Sequence, residues 1–566
     1  MDLSKIRCAP IIDCGLFSTN SEISTLRGLK YVQRKTLGGK PGLKLQFRRD
    51  HLKLCRILTV NTGYHHIHHI SALMLKQSQV FPKCIVKLNV FFHEAIVPSL
   101  TRFSNIKEVF IDIDIRRVNM LLNNREKYRL LKNAMASRKI EVLHLNPFLW
   151  ENVNRITHYS NIKYLELKSS ITEFFENSSE PKFNAYCQKA GKKGIEYSLC
   201  LFLDQNNKFT CPTSHIALLT HLQALTIKTN GCIVPEIPII SDSAEHLTNL
   251  KFLSYNENGV CALRRPESLG CISKLSNLEK LELELFMNHE SKSTMFEYLV
   301  LPKKLKHFKL IFSNCKFGVI EQASANYPFF MSLTEIHGLE SLEFEAFRLS
   351  PMKDTQTSCM NFVKTLLRSL NCKLKVLKLK GPPTKEVDDE FYQLILEHES
   401  LECLDIGLTT KATDDMISKI GHSQIRLRSL LMYNNPLFFN ALPENCLAGI
   451  QELCLYIGVH TPMSENSVSY QEKFLGILRK VKLLPQITEL TIYYSLSPDK
   501  IRDRLIKEIP EITSSLKRLR VFSLVMRGLK LTHEEKEALA TCYKWNKFLE
   551  SVSLKFFNVE FGRDPI

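Results

Sequence analysis

The chain has 566 residues and a mass of 65.3 kDa, enough for roughly three or four globular domains or one long repeat array. A composition of 44% apolar and 24% charged residues excludes a wholly disordered chain, and 21 glycines with 22 prolines exclude a collagen-like one. No run of 18 apolar residues occurs, so the sequence predicts no transmembrane helix, and the N-terminus lacks the apolar core of a signal peptide.

The net charge of +18 is concentrated in the N-terminal quarter. Residues 1–139 carry 25 basic and 9 acidic side chains, whereas the other 427 residues carry 51 and 49. A concentrated positive field attracts polyanions, so residues 26–139 predict contact with nucleic acid or an acidic protein segment; the alternative is a solvated face. The candidate anion-binding residues are Arg34, Lys35, Arg48, Arg49, Arg116, Arg117, Arg129 and Lys132.

Cysteine usage indicates a reducing compartment. The 17 cysteines are odd in number, and no C-x-x-C pair occurs among them. Several lie inside apolar runs, as small buried side chains do. We therefore expect a cytoplasmic or nuclear protein with neither a zinc finger nor a thioredoxin-like motif.

Residues 1–50 precede the regular part of the chain. Gly and Pro at 38–42 predict a turn, and the segment is basic. We expect it to form a cap or a short divergent adaptor-binding segment. A standard F-box is not supported, because no Leu-Pro start occurs near the N-terminus and the first tryptophan is Trp150.

A short triplet, apolar-x-x-apolar-x-apolar, then recurs 17 times. Its middle residues stand at positions 58, 88, 109, 143, 165, 225, 253, 281, 308, 342, 377, 404, 430, 453, 490, 522 and 552. Most separations are 21–37 residues, and the one gap of 60, between 165 and 225, leaves room for a degenerate copy around 197–201. Self-similarity at such a period indicates a repeat architecture.

Each triplet predicts a short strand, because alternation with period two buries one face. The first apolar residue of each triplet stands three positions before the middle one and turns inward as the chain enters the strand. Helical periodicity separates the strands at 362–370, 391–397 and 472–479. One strand with one helix cannot close a core, so neighbouring units must stack around a parallel sheet.

The array resembles the leucine-rich-repeat superfamily, in its intracellular strand–helix form found in ribonuclease-inhibitor-like and F-box-associated repeats. The resemblance covers roughly residues 50–560. It implies an α/β solenoid, a horseshoe with a parallel sheet on the concave face, helices on the convex face and about 17–18 degenerate repeats over 51–566. The family usually has Asn or Cys three residues after the triplet; this chain has Asn230, Asn258 and Asn435 there, but Ser or Thr in other copies.

Three further sequence patterns can be explained without a functional site. Residues 168–215 are polar and rich in turn residues, which predicts a surface excursion. The histidines of YHHIHHI at 64–70 lack the Cys or carboxylate partners of a metal site. Asp112 and Asp114 share one strand face, where paired carboxylates could do acid–base work, but neighbouring arginines are the simpler partners.

Residues 441–450 (ALPENCLAGI) resemble the short box that docks cullin adaptors of the elongin type. The box places Leu442, Cys446 and Ile450 at its docking positions. The same three residues are also explained as core of the array, and we favour that interpretation.

The sequence therefore predicts no catalytic residue, no cofactor and no metal ligand, and we expect a non-enzymatic protein-binding scaffold or adaptor. Resemblance to intracellular repeats implies a substrate-recognition subunit of a ubiquitin ligase or a subunit of another assembly; the alternative is a nucleic-acid-associated factor using 26–139. We expect neither a membrane nor a small-molecule substrate. The candidate partner-binding residues on the concave face are Thr226, Ser254, Glu282, Lys309, Glu343, Lys378, Asp405 and Thr491.

Overall fold

A computed structural model divides the chain into two compact units, residues 1–261 (unit 1) and 262–566 (unit 2). The structure describes residues 11–13, 29–37, 40–47, 57–62, 85–91, 106–112, 142–145, 164–170, 196–203, 222–230, 244–258, 266–286, 295–313, 326–347, 353–381, 387–407, 412–433, 436–458, 476–495, 501–527 and 551–557. Both units contain all-parallel β-sheet, and described helices alternate with the strands of unit 2.

Unit 1 has eleven described strands, nine of them in one parallel sheet in which β1 pairs with β4 and β4 to β11 pair in chain order. β2 and β3 form an antiparallel pair on either side of residues 38–39, the predicted turn. The strands are β1 Ile11–Asp13, β2 Leu29–Leu37, β3 Lys40–Phe47, β4 Ile57–Thr62, β5 Ile85–Phe91, β6 Ile106–Asp112, β7 Val142–Leu145, β8 Tyr164–Ser170, β9 Glu196–Leu203, β10 Leu222–Asn230 and β11 Phe252–Asn258.

Unit 2 has ten described strands, all parallel and paired in chain order. They are β12 Lys280–Phe286, β13 His307–Ser313, β14 Ser341–Phe347, β15 Val376–Lys380, β16 Cys403–Ile406, β17 Ser429–Tyr433, β18 Glu452–Gly458, β19 Glu489–Ser495, β20 Val521–Arg527 and β21 Ser551–Phe557. Parallel pairing requires a crossover between successive strands, and the described helices lie in these crossovers.

The described helices of unit 2 begin with the 3-10 helix Pro266–Lys274. The α-helices are α1 Met295–Tyr298, α2 Pro328–Thr334, α3 Lys353–Arg368, α4 Asp389–Leu396, α5 Asp414–Gly421, α6 Pro436–Ala441, α7 Glu444–Leu447 and α8 Ile501–Ser515, and residues 476–482 are also helical. The helices predicted at 362–370 and 391–397 correspond to α3 and α4. Among the described helices, none is both long and apolar enough to cross a bilayer.

The middle residues of the triplets align across all ten strands of unit 2. They are Leu281, Phe308, Leu342, Leu377, Leu404, Leu430, Leu453, Leu490, Phe522 and Val552. In unit 1 the same alignment joins residues 88, 109, 143 and 165, and residue 225 with 253. Two junctions shift by two residues, pairing Leu58 with Val86 and Leu165 with Tyr197. Because the side-chain period is two, such a shift keeps every side chain on its own face.

β9 occupies the gap of 60 residues between two recognisable triplets, where the sequence left room for a degenerate copy. It pairs with β8 and β10, and Leu199 and Leu201 are buried. Part of the stretch near 168–215 is therefore a buried strand, although its composition predicted a surface excursion. In β9 no apolar residue stands three positions before the strand centre Leu199, where the other triplets have one.

Burial confirms the inward direction of the triplets. In β12 to β20 all 27 triplet side chains are at most 3% exposed. The residue three positions before the strand centre is as deeply buried as the two strand residues, as Leu278, Leu374 and Ile487 illustrate at 0%. Each large apolar side chain buried in this way contributes about 2 kcal/mol of transfer free energy.

Phenylalanines join the strands of unit 2 to their crossover helices. Phe362 of α3 packs against Phe312 of β13 and Phe344 of β14, with ring centroids 5.9 and 5.3 Å apart. Phe329 of α2 lies 5.9 Å from Phe308 of β13. These contacts place the helices on the side of the sheet that buries the triplets.

Adjacent crossovers are also linked through helix caps. The Asp388 carboxylate accepts the N–H of Phe391 at the start of α4, and the Thr413 hydroxyl accepts the N–H of Met416 at the start of α5. Asp389 of α4 then accepts both the N–H and the hydroxyl of Thr413, at 2.9 and 2.5 Å. These hydrogen bonds lower the pKa of Asp389 below its usual range.

Candidate protein-binding face

The side chains that alternate with the buried triplets of unit 2 form its open face. The face has three rows: the residue before each triplet's middle position, the residue after it, and the residue two further on. In β12 to β16 the open face is mostly charged. In β17 to β19 it combines carboxylates, hydroxyls, apolar side chains and tyrosines.

Opposite charges alternate along the charged half. Glu282, Lys309, Glu343, Lys378 and Asp405 occupy one row in register. The Glu343 carboxylate is 2.5 Å from the Lys378 ammonium and 3.5 Å from that of Lys309. Partial burial alone would raise the pKa of Glu343, but the hydrogen bond from Lys378 and the charge of Lys309 lower it. Cross-strand pairs of this kind fix the register of neighbouring strands.

Asp405 closes this row and differs from the other members, because it is 4% exposed. Its Oδ2 lies 3.5 Å from Nζ of Lys380, whereas its Oδ1 has no hydrogen-bond partner among the described residues. Burial raises the pKa of Asp405 to about 6, although Lys380 and Lys378 act in the opposite direction. A buried acceptor without a donor costs free energy.

Lys380 reaches Asp405 across Gly407. A β-carbon at Gly407 would lie 3.1 Å from both Cα and Cγ of Lys380. The missing side chain therefore leaves room for the lysine stem. From there the ammonium lies 3.1 Å from Glu345 and 3.5 Å from Asp405.

Beyond Asp405, the same row continues with Leu431, Cys454 and Thr491, all half-exposed. In the next row Tyr456 and Tyr493 stack with ring centroids 4.1 Å apart and planes 2° from parallel. Burial raises the pKa of the Cys454 thiol to about 12. The thiol therefore stays protonated at neutral pH and acts as a small apolar surface.

Two glutamates complete this half of the face. Glu452 and Glu489 pair in register in the row that precedes the triplet centres. Burial and the neighbouring Glu452 raise the pKa of Glu489. Neither carboxylate forms an ion pair with a side chain in the described segments.

A line of ion pairs borders the open face where the strands begin. Glu279 pairs with Lys306, and Lys375 pairs with Glu340. Arg428 is 3.4 Å from Glu402 further along the same edge. A groove of about 280 Å³ runs between this edge and the first row of the face, from His307 to Glu452. These border charges are paired with one another.

The structure places the predicted partner-binding residues in their expected rows. Glu282, Lys309, Glu343, Lys378 and Thr491 are half-exposed on the open face of unit 2, whereas Asp405 is buried there. Thr226 and Ser254 pair in register on β10 and β11 of unit 1 and are half-exposed. Their role in binding stays a prediction.

Of the predicted anion-binding residues, Arg34 and Lys35 lie in β2. Their side chains lie outside the described part of the chain. The same holds for the whole of Arg48, Arg49, Arg116, Arg117, Arg129 and Lys132.

The alternative sites of the sequence have different outcomes. Leu442, Cys446 and Ile450 are at most 2% exposed, so the cullin-box resemblance at 441–450 is explained by core packing. Asp112 ends β6, while Asp114 and the histidines at 65–69 lie outside the described residues. Within the described segments, no three His, Cys, Asp or Glu side chains are placed to hold a metal ion.

Sequence reasoning missed the tyrosine stack and the glutamate pair. The predicted partner-binding residues were only those directly after each triplet's middle position, and no residue outside the triplets was included. Extending the period of two by one step in each direction reaches both Glu452 and Tyr456.

Comparison with known proteins leaves the family open. No protein-family model matches the chain, and no curated protein resembles it at a significant level.

Proposed function

We propose that this chain is a non-enzymatic leucine-rich-repeat solenoid that binds a protein partner on the open face of its sheet. The proposal is supported by the open face of unit 2, on which paired charges, hydroxyls, apolar groups and stacked tyrosines follow one another across neighbouring strands. Protein interfaces combine apolar and aromatic cores with polar rims, whereas a nucleic-acid groove needs a continuous run of cations.

The role that fits such a binder is an adaptor or scaffold, such as a substrate-recognition subunit of a ubiquitin ligase. The chain is then expected to contact the rest of an assembly through a separate segment. Residues 1–50 are the candidate for that contact. The buried box at 441–450 is not a candidate, because its apolar side chains already form core.

The test is affinity purification of the tagged chain from its native cells, with half of each sample treated with nuclease. Two variants with the same added charge accompany the wild type. Thr491→Arg blocks the open face, and Ser514→Arg alters an exposed position of α8 on the helix side. Protein partners that survive nuclease, persist with Ser514→Arg and disappear with Thr491→Arg would support the proposal.

The second candidate function is nucleic-acid association through residues 26–139, which carry 23 basic and 6 acidic side chains. Binding that depends on phosphate contacts releases counterions and falls steeply with salt. Loss of most partners after nuclease treatment, with both arginine variants behaving like wild type, would favour this candidate over the first.

A further inference from the structure

The open face of β16 to β19 has a net negative charge. Its twelve positions include Asp405, Glu452 and Glu489 and no lysine or arginine. Of the neighbouring cations of β15, Lys378 pairs with Glu343, and Lys380 is shared between Glu345 and Asp405. The patch therefore attracts cations, although the chain as a whole is basic.

Acidic residues on a surface are often merely solvated, but Asp405 cannot be. Its side chain is 5% exposed, and its Oδ1 has no donor among the described residues. Buried acceptors are normally satisfied, and those that are not call for an explanation such as a ligand. A donor supplied from outside would satisfy Oδ1 where Lys380 satisfies only Oδ2.

The rest of the patch favours arginine among the donors. Leu431 and Cys454 offer apolar contact between the carboxylates, and the stacked rings of Tyr456 and Tyr493 are half-exposed. A guanidinium donates to carboxylates in fork geometry and also stacks on aromatic rings, whereas an ammonium does so less well. Four strands at about 4.8 Å spacing make the patch roughly 15 Å wide, which matches four or five residues of an extended segment.

From these observations we infer that the open face of β16 to β19 binds an arginine-bearing extended segment of a partner protein, with Asp405, Glu452 and Glu489 as acceptors and Tyr456 and Tyr493 as a stacking surface. The inference rests on the proposed protein-binding function and specifies the chemistry of the partner. Lys380 also contacts Glu345 at 3.1 Å, so it would retain one carboxylate partner if an incoming guanidinium displaced it from Asp405.

The test uses a fluorescein-labelled decapeptide of alternating arginine and serine, with fluorescence anisotropy against the purified full chain. Its twin carries glutamate in place of every arginine. We expect the arginine peptide to bind and the glutamate peptide to bind at least tenfold more weakly at this face. Failure of the arginine peptide to bind the wild-type chain would overturn the inference.

Variants locate the binding. Glu452→Gln with Glu489→Gln, and separately Asp405→Asn, should each weaken binding of the arginine peptide about tenfold. The matched control is Glu508→Gln with Glu511→Gln, which removes two carboxylates from the helix side, where both contact Lys482. An equal loss in the control would mean that general charge, and not this patch, governs binding, and would overturn the inference.

Stacking has its own readout. A lysine version of the peptide should bind wild type several-fold more weakly than the arginine peptide, and this difference should shrink in Tyr493→Leu. An undiminished arginine preference in Tyr493→Leu would contradict the stacking role. If the peptides do not bind but Thr491→Arg still removes nuclease-resistant partners, the proposed protein-binding function is supported. The inference that the partner segment bears arginine is then wrong.

Discussion

Replacing Asp405 by asparagine should stabilise the protein at neutral pH. The carboxylate is buried, its Oδ1 has no partner among the described residues, and its pKa is raised from 3.8 to about 6. A difference of two units between folded and unfolded states corresponds to about 3 kcal/mol at pH values above 6. Asparagine has nearly the same shape without the charge, so we expect a gain of about 2 to 3 kcal/mol at pH 7.5.

The sign of the pH dependence follows from the direction of the shift. A raised pKa means that the folded state holds a proton which the unfolded state releases. The stabilising contribution is therefore fully present below about pH 3.8 and is lost as pH rises through about 6. The advantage of Asp405→Asn should be largest above pH 6 and should nearly vanish below pH 4.

Urea unfolding at pH 7.5 and pH 4, followed by circular dichroism, measures the difference. Because the chain has two compact units, a global unfolding curve can combine the unfolding of both. Hydrogen exchange of β15 to β17 measures the stability of the segment around Asp405 itself. Asp415→Asn is the control: its carboxylate is 76% exposed and pairs with Lys419, so we expect a change below about 0.5 kcal/mol. A lower stability of Asp405→Asn at pH 7.5, or a gain that is equal at both pH values, would refute the reasoning.

Three other substitutions have defined outcomes. Lys480→Met removes an ammonium that donates to the carbonyl oxygens of Phe439, Asn440 and Leu442, at 3.3, 3.0 and 2.7 Å, near the end of α6. Urea unfolding should show that the free energy of unfolding falls by about 2 to 3 kcal/mol. An unchanged midpoint would contradict the capping role. Gly407→Ala places a methyl group 3.1 Å from Lys380 and should cost about 1 kcal/mol in the same assay, with no loss if the stem can move freely. Phe362→Ala empties the contact between α3 and two strands and should cost about 3 to 5 kcal/mol, far more than a surface substitution.

The triplets allowed the sheet to be predicted with its register, because burial alone decides which side chains face inward. Every middle residue of unit 2 stands where the sequence placed it. β9 was harder to recognise, since its strand lacks the preceding apolar residue. At this strand Tyr197 pairs with the triplet centre Leu165.

The sequence was sufficient to predict which residues lie on the open face, but not how deeply they are buried or which of them contact each other. Alternation identified Asp405 as a surface position, yet it is 4% exposed and lies 3.5 Å from the Lys380 ammonium. Long lysine side chains can cover or uncover a neighbour, and no local pattern states which they do. The stack of Tyr456 on Tyr493 likewise depends on the pairing of two strands that are 37 residues apart.

At the start of each strand from β13 to β20, backbone hydrogen bonds link neighbouring repeats in the same way, whatever the length of the crossover between them. The Lys375 carbonyl accepts two N–H groups, from Glu402 and Cys403, and the Gln451 carbonyl accepts those of Thr488 and Glu489. The first junction joins triplets 27 residues apart and the second joins triplets 37 residues apart, with the same two bonds. Crossover length is thus free to drift through insertion and deletion while the register is preserved, and we expect homologous chains to lose detectable sequence similarity long before they lose this sheet. Engineered insertions placed in the crossovers should be tolerated for the same reason.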